Sequence, residues 1–216
     1  MNTTTVPQHT KEQQAEAMKA YYRLHAAIYD LTRWTFLFGR RKIVRLLAKQ
    51  NPIPHRIMEI GCGTGFNLRQ LGRQFPLTQV IGMDVSAKML HKARKNTNVF
   101  EDRIQLIEQP YSFGDMKFND KMDVILFSYS LTMINPQWEE LIAQAAYDLK
   151  PGGLIGVVDF YNSPFQWFKS HMGNNHVRMD GHLNPVLKRH FQTEYEQVSN
   201  AYGGVWQYFM YIGRKV

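Results

Sequence analysis

Cysteine is almost absent from this sequence, which has one, Cys62, among 216 residues. A single thiol excludes an internal disulfide framework and a zinc site built from several cysteines. No apolar run reaches the roughly 18 residues that a membrane-spanning helix needs, and the polar segment 1–18 lacks the apolar core of a secretory signal. We therefore expect a cytoplasmic protein, with any membrane contact made peripherally at the inner face.

Acidic residues are also scarce, because 18 Asp and Glu stand against 26 Lys and Arg, for a net charge of +8. Such a charge suits nucleic acid, an anionic membrane surface or an acidic small molecule, and it equally suits general solubility. Neither an arginine-rich tail nor zinc-finger spacing is present, so we expect no nucleic-acid partner. The histidines match no metal-ligand template, so we expect no metal. The sequence leaves the oligomeric state open.

Apolar segments of strand length alternate with segments of helical periodicity, which predicts an α/β fold with a doubly wound, mostly parallel sheet. The predicted strands are 56–60, 79–84, 104–107, 122–128 and 154–159, and the predicted helices are 11–29, 39–49, 66–75, 86–96 and 136–149. Lys150-Pro151-Gly152-Gly153 predicts a turn. Segments 194–201 and 205–213 flank two glycines, which predicts a C-terminal antiparallel hairpin. We expect one domain, with 1–50 as a helical lid and substrate region and 56–216 as the cofactor-binding sheet.

Three glycines lie between the first predicted strand and the next helix, in Glu59-Ile60-Gly61-Cys62-Gly63-Thr64-Gly65. Glycine lets the backbone turn sharply and approach a ligand closely. The dinucleotide fingerprint needs its third glycine one residue later, where Phe66 stands, which weakens an NAD or FAD site. No Gly-Lys-Ser/Thr follows, so a P-loop is excluded.

Asp84 ends the next predicted strand, 19 residues after Gly65. A carboxylate at this place can accept hydrogen bonds from both hydroxyls of a ribose. The alternative is a solvated acid at a strand end. Glu59 would either orient the glycine loop or meet an ammonium group of the ligand.

These features together resemble the class I S-adenosylmethionine-dependent methyltransferases. The matching stretches are Glu59–Gly65, Val80–Asp84, Asp123–Ser128 and Leu149–Leu154. The resemblance implies a seven-stranded sheet with a reversed last strand and S-adenosylmethionine as cofactor. It implies that Glu59 and the first two glycines line the methionine end, that Asp84 binds the ribose and that Met83 flanks the adenine. The cofactor-binding residues predicted on this basis are Tyr22, Tyr29, Glu59, Gly61, Cys62, Gly63, Met83, Asp84, Gln109, Tyr111, Ser128 and Tyr129.

The sequence departs from this family after the third predicted strand. Many members carry an acid there that contacts the adenine amino group, whereas this chain has Gln109 and Pro110. The Gln109 side-chain oxygen could accept the same hydrogen bond, and Tyr111 could pack on the ring. Both alternatives stay open.

A narrower resemblance bears on the methyl acceptor. Residues 22–42, His176 to Gly181 and Ala201 to Phe209 look like the diacylglyceryl-homoserine N-methyltransferases of betaine-lipid synthesis. The first run is also similar to bacterial phosphatidylethanolamine N-methyltransferases. These resemblances imply an amine on a membrane lipid as acceptor. The alternatives are a soluble acceptor, such as a quinone precursor or an amino-acid derivative, and a non-catalytic cofactor-binding subunit.

An amine must lose its proton before methylation, so a nearby base would help. The candidate catalytic residues are Tyr22, His25, Tyr29 and His176, with Asp180 as a further base. Tyr22 and Tyr29 recur at helical spacing, so we expect them to share a face and close over the site. Residues rich in charge and aromatic character are the candidates for substrate binding: Arg33, Trp34, Arg40, Tyr161 and Arg178. Basic and aromatic residues would also dock reversibly on an anionic membrane: Arg33, Trp34, Phe36, Phe38, Arg40, Arg41, Phe165, Trp167 and Phe168.

Overall fold

The computed structural model describes residues 37–115, 117–134, 137–174 and 177–216. The predicted helix 11–29, and with it the tyrosines expected to close over the site, lies outside these residues. Residues 37–216 form one compact unit. It therefore includes the helix that follows Gly39, which the sequence had assigned to the lid region.

Seven strands form one sheet in the order β3-β2-β1-β4-β5-β7-β6. Strands β1 to β5 pair with one another in parallel, and β7 runs antiparallel to both β5 and β6. The predicted parallel sheet and the C-terminal hairpin are confirmed. The strands are β1 (Arg56–Ile60), β2 (Gln79–Asp84), β3 (Ile104–Glu108), β4 (Met122–Ser128), β5 (Leu149–Asn162), β6 (Gln192–Ala201) and β7 (Trp206–Arg214).

The helices of the described residues divide between the two faces of the sheet. They are α1 (Arg40–Gln50), α2 (Phe66–Gln74), α3 (Ala87–Thr97), α4 (Trp138–Asp148), α5 (Gln166–Asn174) and α6 (Leu183–His190). Helix α1 packs against α2 and β5, and α2 packs against α3, whereas α4 packs against α6. Ile155 and Val157 of β5 join the core under α4 and α6, while Gly156 between them faces Leu47 of α1. Because successive residues of a strand point to opposite faces, the two helical layers lie on opposite sides.

One local detail differs from the sequence prediction. The sequence predicts a turn at Lys150 to Gly153, before the strand, but this segment lies within β5. It interrupts the regular pairing with β4 as a bulge, since Met122 pairs with Leu149 and Val124 pairs with Leu154. Gly152 and Gly153 exchange backbone hydrogen bonds with Lys215 at 2.9 Å. The hairpin therefore supplies partners that keep the predicted turn inside the sheet.

None of the helices in the described residues has the length and apolar character needed to cross a membrane.

Candidate active site

The loop between β1 and α2 is shaped by glycines in left-handed conformations. A Cβ at Gly61 would lie 2.8 Å from the Cβ of Ser130. The loop therefore comes into close contact at Gly61 with the chain that follows β4. The N–H of that glycine donates to the carbonyl of Met83 at 2.9 Å. The φ angles are 72°, 53° and 80° for Gly61, Gly63 and Gly65. The loop therefore turns back over the carboxyl ends of β1 and β2.

Asp84 joins this loop to the start of α3. Its Oδ2 accepts the N–H of Gly63 at 2.8 Å, and its Oδ1 accepts the N–H of Ser86 at 2.9 Å. An ionised carboxylate can accept about four hydrogen bonds. Holding two backbone donors is therefore compatible with accepting the hydroxyls of a ribose as well.

Glu59 is a buried carboxylate within β1, only 2% exposed. Its Oε1 accepts the side-chain N–H of Asn67 at 2.7 Å, and Asn67 lies in the first turn of α2. The contact ties the strand before the glycine loop to the helix after it. Of the two roles that the sequence left open, this geometry favours orienting the loop, and contact with a ligand ammonium stays a prediction.

The end of β4 places polar atoms opposite the glycine loop. The hydroxyl oxygens of Ser128 and Ser130 are buried and make no hydrogen bond to any described residue. Tyr129 between them has φ 56°, and its hydroxyl donates to the carbonyl of Phe38 at 2.9 Å. Burial raises the pKa of Tyr129 well above its usual value, so the phenol remains a neutral donor. Two buried hydroxyls are thus left with capacity for a ligand.

Asp159, fully buried near the end of β5, holds the chain that follows these serines. Its Oδ1 accepts the hydroxyl of Thr132 at 2.5 Å and the N–H of Phe160 at 2.9 Å, and its Oδ2 accepts the N–H of Thr132 at 3.2 Å. Burial raises the pKa of Asp159 to about 6, although these hydrogen bonds oppose the rise. Asp159 therefore fixes the loop after β4 relative to β5.

The side expected to hold adenine contains Met83, Gln109 and Tyr111. Met83 is buried in β2 and Gln109 is half-buried directly after β3. The Tyr111 hydroxyl donates to Oδ2 of Asp148 on α4 at 2.6 Å, and burial together with that carboxylate raises its pKa. Its hydroxyl is thus committed to α4, and its ring packs edge-on against Phe127 of β4, with 6.1 Å between the ring centroids. The choice between Gln109 and Tyr111 stays a prediction.

Three of the predicted substrate residues lie at or beside this edge. The guanidinium of Arg40 is 3.9 Å from the ring centroid of Phe66, which directly follows the glycine loop. The carbonyl of Tyr161 accepts the N–H of Gly181, and the N–H of Arg178 donates to the carbonyl of Thr132. The other candidates for catalysis and substrate binding lie outside the described residues: Tyr22, His25, Tyr29, Arg33, Trp34 and His176.

Asp159 and Ser130 lie at the loop after β4 but were not among the predicted site residues. Asp159 had a recognisable signal, because it is an acid closing an apolar strand, as Asp84 is. Ser130 had none, since its place opposite Gly61 depends on how the loop after β4 folds back. No group of three or more His, Cys, Asp or Glu suited to a metal ion occurs in the described part of the chain.

The residues present suit S-adenosylmethionine. The glycine loop supplies a cradle in which a Cβ at Gly61 would clash with Ser130. Asp84 supplies a carboxylate at the position predicted for the ribose, and Ser128 and Ser130 supply buried hydroxyls at the end of β4. The chemistry of these groups matches a ligand that has a diol at one end and charged polar groups at the other.

Comparison with known proteins agrees with this geometry. Residues 57–153 match the family model described as a methyltransferase domain. The chain is 32% identical over 109 residues to trans-aconitate 2-methyltransferase of Deinococcus radiodurans. This alignment covers 49% of this chain and 39% of that protein. The chain is also 31% identical over 152 residues to demethylmenaquinone methyltransferase of Tropheryma whipplei. That alignment covers 68% of this chain and 59% of the relative. The chain thus spans about half the length of the curated relatives it matches.

A solved structure shares the fold over nearly the whole chain. It is the 1,6-didemethyltoxoflavin-N1-methyltransferase of Burkholderia thailandensis with bound 1,6-didemethyltoxoflavin and S-adenosylhomocysteine, with a TM-score of 0.75, 16% identity and coverage of 99% of this chain and 93% of that one. At this identity the likeness concerns the fold alone. Residues 57–153 thus match a methyltransferase domain, and the glycine loop with Asp84 suits S-adenosylmethionine as its cofactor.

Proposed function

We propose that this protein transfers a methyl group from S-adenosylmethionine to the nitrogen of an amine. The observation that carries the transferase activity is the apposition of the Gly61 loop and the chain leaving β4, with Asp84 at one end and the buried Ser128 and Ser130 hydroxyls at the other. This arrangement supports a cofactor bound at the carboxyl ends of β1, β2 and β4, where we expect the acceptor to approach.

The chemistry requires little more than alignment from the protein. Bound S-adenosylmethionine supplies a methyl group on a positively charged sulfur. The chain must hold the attacking atom about 3 Å from that carbon and in line with the bond that breaks. Asp84 and the glycine loop fix one partner, while Asp159 fixes the Ser130–Thr132 segment against which the other partner would lie.

The finer proposal is that the amine belongs to a membrane lipid headgroup. Its structural support is the charge of one helical layer, since α1, α2 and α3 carry five, two and four basic residues and no acidic residue. Large exposed aromatic side chains add to it, with Trp167 at 65% and Phe165 at 43% exposed. The basic residues are Arg40, Arg41, Lys42, Arg45, Lys49, Arg69, Arg73, Lys88, Lys92, Arg94 and Lys95. Such a surface suits reversible docking on anionic lipid.

A soluble acceptor is the second candidate. The relatives are named for trans-aconitate and demethylmenaquinone, and the structural neighbour contains bound 1,6-didemethyltoxoflavin. These names favour small acceptors for those proteins. A subunit that binds the cofactor without catalysis is the third candidate.

Partition of a radiolabelled methyl group separates the three. The purified chain is incubated with labelled S-adenosylmethionine and two acceptors: phosphatidylethanolamine in vesicles that also contain phosphatidylglycerol, and phosphoethanolamine in solution. Label in the organic phase supports the lipid acceptor, and label recovered in methylated phosphoethanolamine, separated from unreacted S-adenosylmethionine, supports a soluble one. Cofactor binding by calorimetry, with no label transferred to any amine tested, would favour the non-catalytic subunit.

A further inference from the structure

The exposed carboxylate of Asp180 pairs with the buried imidazole of His182 in the segment between α5 and α6. Nδ1 of His182 lies 2.5 Å from Oδ1 of Asp180, and Oδ2 of Asp180 accepts Nε of Arg178 at 2.7 Å. The His182 side chain is only 6% exposed. Its other ring nitrogen, Nε2, is buried and forms no hydrogen bond with any residue that the structure describes. Buried polar atoms are usually hydrogen-bonded, so an unpaired imidazole nitrogen suggests a functional role.

The pair fixes which nitrogen carries the proton. Although burial opposes it, the hydrogen bonds from Arg178 and His182 hold the pKa of Asp180 below its usual value, so this carboxylate is ionised and only accepts hydrogen bonds. Nδ1 of His182 therefore carries the hydrogen, and Nε2 presents a lone pair.

The surroundings keep the imidazole neutral. Burial lowers the pKa of His182, Asp180 raises it in part, and Arg178 lowers it further. On the neighbouring α4, Trp138 packs on the ring at 4.6 Å between centroids and carries no charge, while Glu139 is paired with Arg189. His182 is thus a neutral base near pH 7 rather than a cation.

Backbone contacts attach this pair to the acceptor edge of the site. The N–H of Arg178 donates to the carbonyl of Thr132 at 3.1 Å, and the N–H of Gly181 donates to the carbonyl of Tyr161 at 2.9 Å. Thr132 belongs to the loop after β4, two residues beyond the Ser130 that meets the glycine loop, and Tyr161 lies at the end of β5. The pair therefore borders the carboxyl ends of the two strands where an acceptor must sit.

We propose that Nε2 of His182 is the base that deprotonates the acceptor ammonium. This inference rests on the proposed amine acceptor. The N–H bond of the ammonium breaks, its electron pair stays on nitrogen, and the proton passes to Nε2, where Asp180 stabilises the imidazolium. The amine then forms the new C–N bond as the carbon–sulfur bond breaks and the sulfur keeps that pair as a neutral thioether. The imidazolium releases its proton to water, and the product is a methylated ammonium.

The need for a base follows from the acceptor's own pKa. An alkylammonium with a pKa near 10.4 is only about 0.1% deprotonated at pH 7. A positioned base contributes typically about 10²- to 10⁴-fold. The rate advantage that the base gives shrinks as the solution pH approaches the acceptor's pKa. A variant without the base should therefore regain activity at high pH.

The first test concerns the imidazole alone and needs no acceptor. Nitrogen-15 correlation spectra of the full chain should show His182 as the neutral Nδ1–H form at pH 7, with its pKa below 6.5. Asp180→Asn should shift that tautomer balance. An Nε2–H form, or a charged ring at pH 7, would overturn the inference even if the protein proves to be a methyltransferase.

The second test is kinetic, with His182→Asn, whose amide can still donate to Asp180. Methyl transfer to phosphatidylethanolamine in phosphatidylglycerol vesicles should fall at least 100-fold at pH 7 and return to within 10-fold of wild type near pH 10, while calorimetric affinity for S-adenosylmethionine stays unchanged. His190→Asn, at the exposed end of α6, is the matched control and should behave as wild type. An equal loss at both pH values indicates a structural role and overturns the inference. Wild-type protein that methylates neither phosphatidylethanolamine nor phosphoethanolamine overturns the amine acceptor, and with it the assignment of His182 as its base, whatever the tautomer.

Discussion

Asp84 is the side chain on which the cofactor site depends most directly, since it meets the glycine loop and α3 through separate oxygens. We expect Asp84→Ala to weaken binding of S-adenosylmethionine by about 1.5–3 kcal/mol, the range for hydrogen bonds to a charged group. Calorimetry on the folded variant measures this. Asp102→Ala, which removes an exposed acid beyond α3, should leave the affinity unchanged. Unchanged affinity in Asp84→Ala would remove this carboxylate from the ribose site.

Asp159 gives the stability of the protein a specific pH dependence. Its pKa is raised from 3.8 to about 6 in the folded chain, so the folded state holds the proton more tightly than the unfolded state. The stability that this group contributes is therefore fully present below about pH 4 and is lost as the pH rises through about 6. At roughly 1.4 kcal/mol per pKa unit, the loss is about 3 kcal/mol.

Urea unfolding of wild type and Asp159→Asn between pH 4 and pH 8 isolates this effect, because the variant cannot titrate at that position. The free energy of unfolding of wild type should decline by about 3 kcal/mol relative to the variant over this interval. A difference that stays constant with pH would mean that Asp159 is ionised throughout, with an ordinary pKa.

At the scale of elements, close packing of α2 on β2 explains a glycine inside a strand. A Cβ at Gly82 would lie 2.6 Å from Cδ1 of Leu68, which is fully buried and cannot move aside. We therefore expect Gly82→Ala to destabilise the protein by about 1–3 kcal/mol through overpacking. The same substitution at Gly173 in α5 meets no atom within 4 Å. There it should stabilise by about 0.5–1 kcal/mol, because alanine favours the helix.

Thermal or urea unfolding of the two glycine variants measures whether their free energies of unfolding change in opposite directions. If Gly82→Ala proved as stable as wild type, α2 would have to shift away from β2. Since the helix begins at the glycine loop, such a shift would also reduce cofactor affinity. A stable variant with undiminished affinity would therefore contradict the packing described.

At the scale of the whole molecule, charge is divided unequally between the two helical layers. The basic residues of α1 to α3 have no acidic neighbour within their own helices. By contrast, several ion pairs on other elements join cations to acids at 2.6–2.8 Å: Lys150–Asp123, Lys188–Glu196, Arg189–Glu139 and Arg214–Glu194. The α1–α3 layer is therefore the face that an anionic surface would attract.

Liposome sedimentation tests this attraction with two triple variants of equal charge. Arg41, Arg45 and Lys49 are exposed and recur every four residues on α1, so replacing all three by Gln removes one stripe. At about 1 kcal/mol per basic residue, binding to phosphatidylglycerol vesicles at low salt should fall roughly 150-fold. Replacing Lys150, Lys188 and Arg189 by Gln changes the net charge equally but removes paired cations, and should have little effect.

The salt dependence of binding provides a further check of the same surface. Screening shortens from about 10 Å at 0.1 M to 3 Å at 1 M ionic strength, so binding by wild type should weaken steeply across this range. Binding that ignores salt, or that both triple variants retain in full, would place any membrane contact on another face. Failure to bind anionic vesicles at low salt would favour the soluble acceptor.

The amino-acid sequence by itself determined the parallel sheet, the reversed terminal strand and the cofactor loop. These features rest on local signals: apolar runs of strand length, glycines at a sharp turn, and Asp84 at a strand end. Each of these signals lies within a few neighbouring residues, so it can be recognised from a short stretch of sequence. For the same reason the helix predicted from residue 86 is found as α3, and the hydroxyl of Ser86 at its start accepts the N–H of Met89.

Only the tertiary structure decided which distant residues meet. Ser130 lies against Gly61, Asp159 holds Thr132, and Nε2 of His182 is buried without a hydrogen bond to any described residue. The segment Lys150–Gly153 became part of β5 because the terminal hairpin supplied its hydrogen-bond partners. Burial, which sets the pKa of Asp159 and keeps His182 neutral, depends on side chains far apart in the sequence, so no local pattern carries that information.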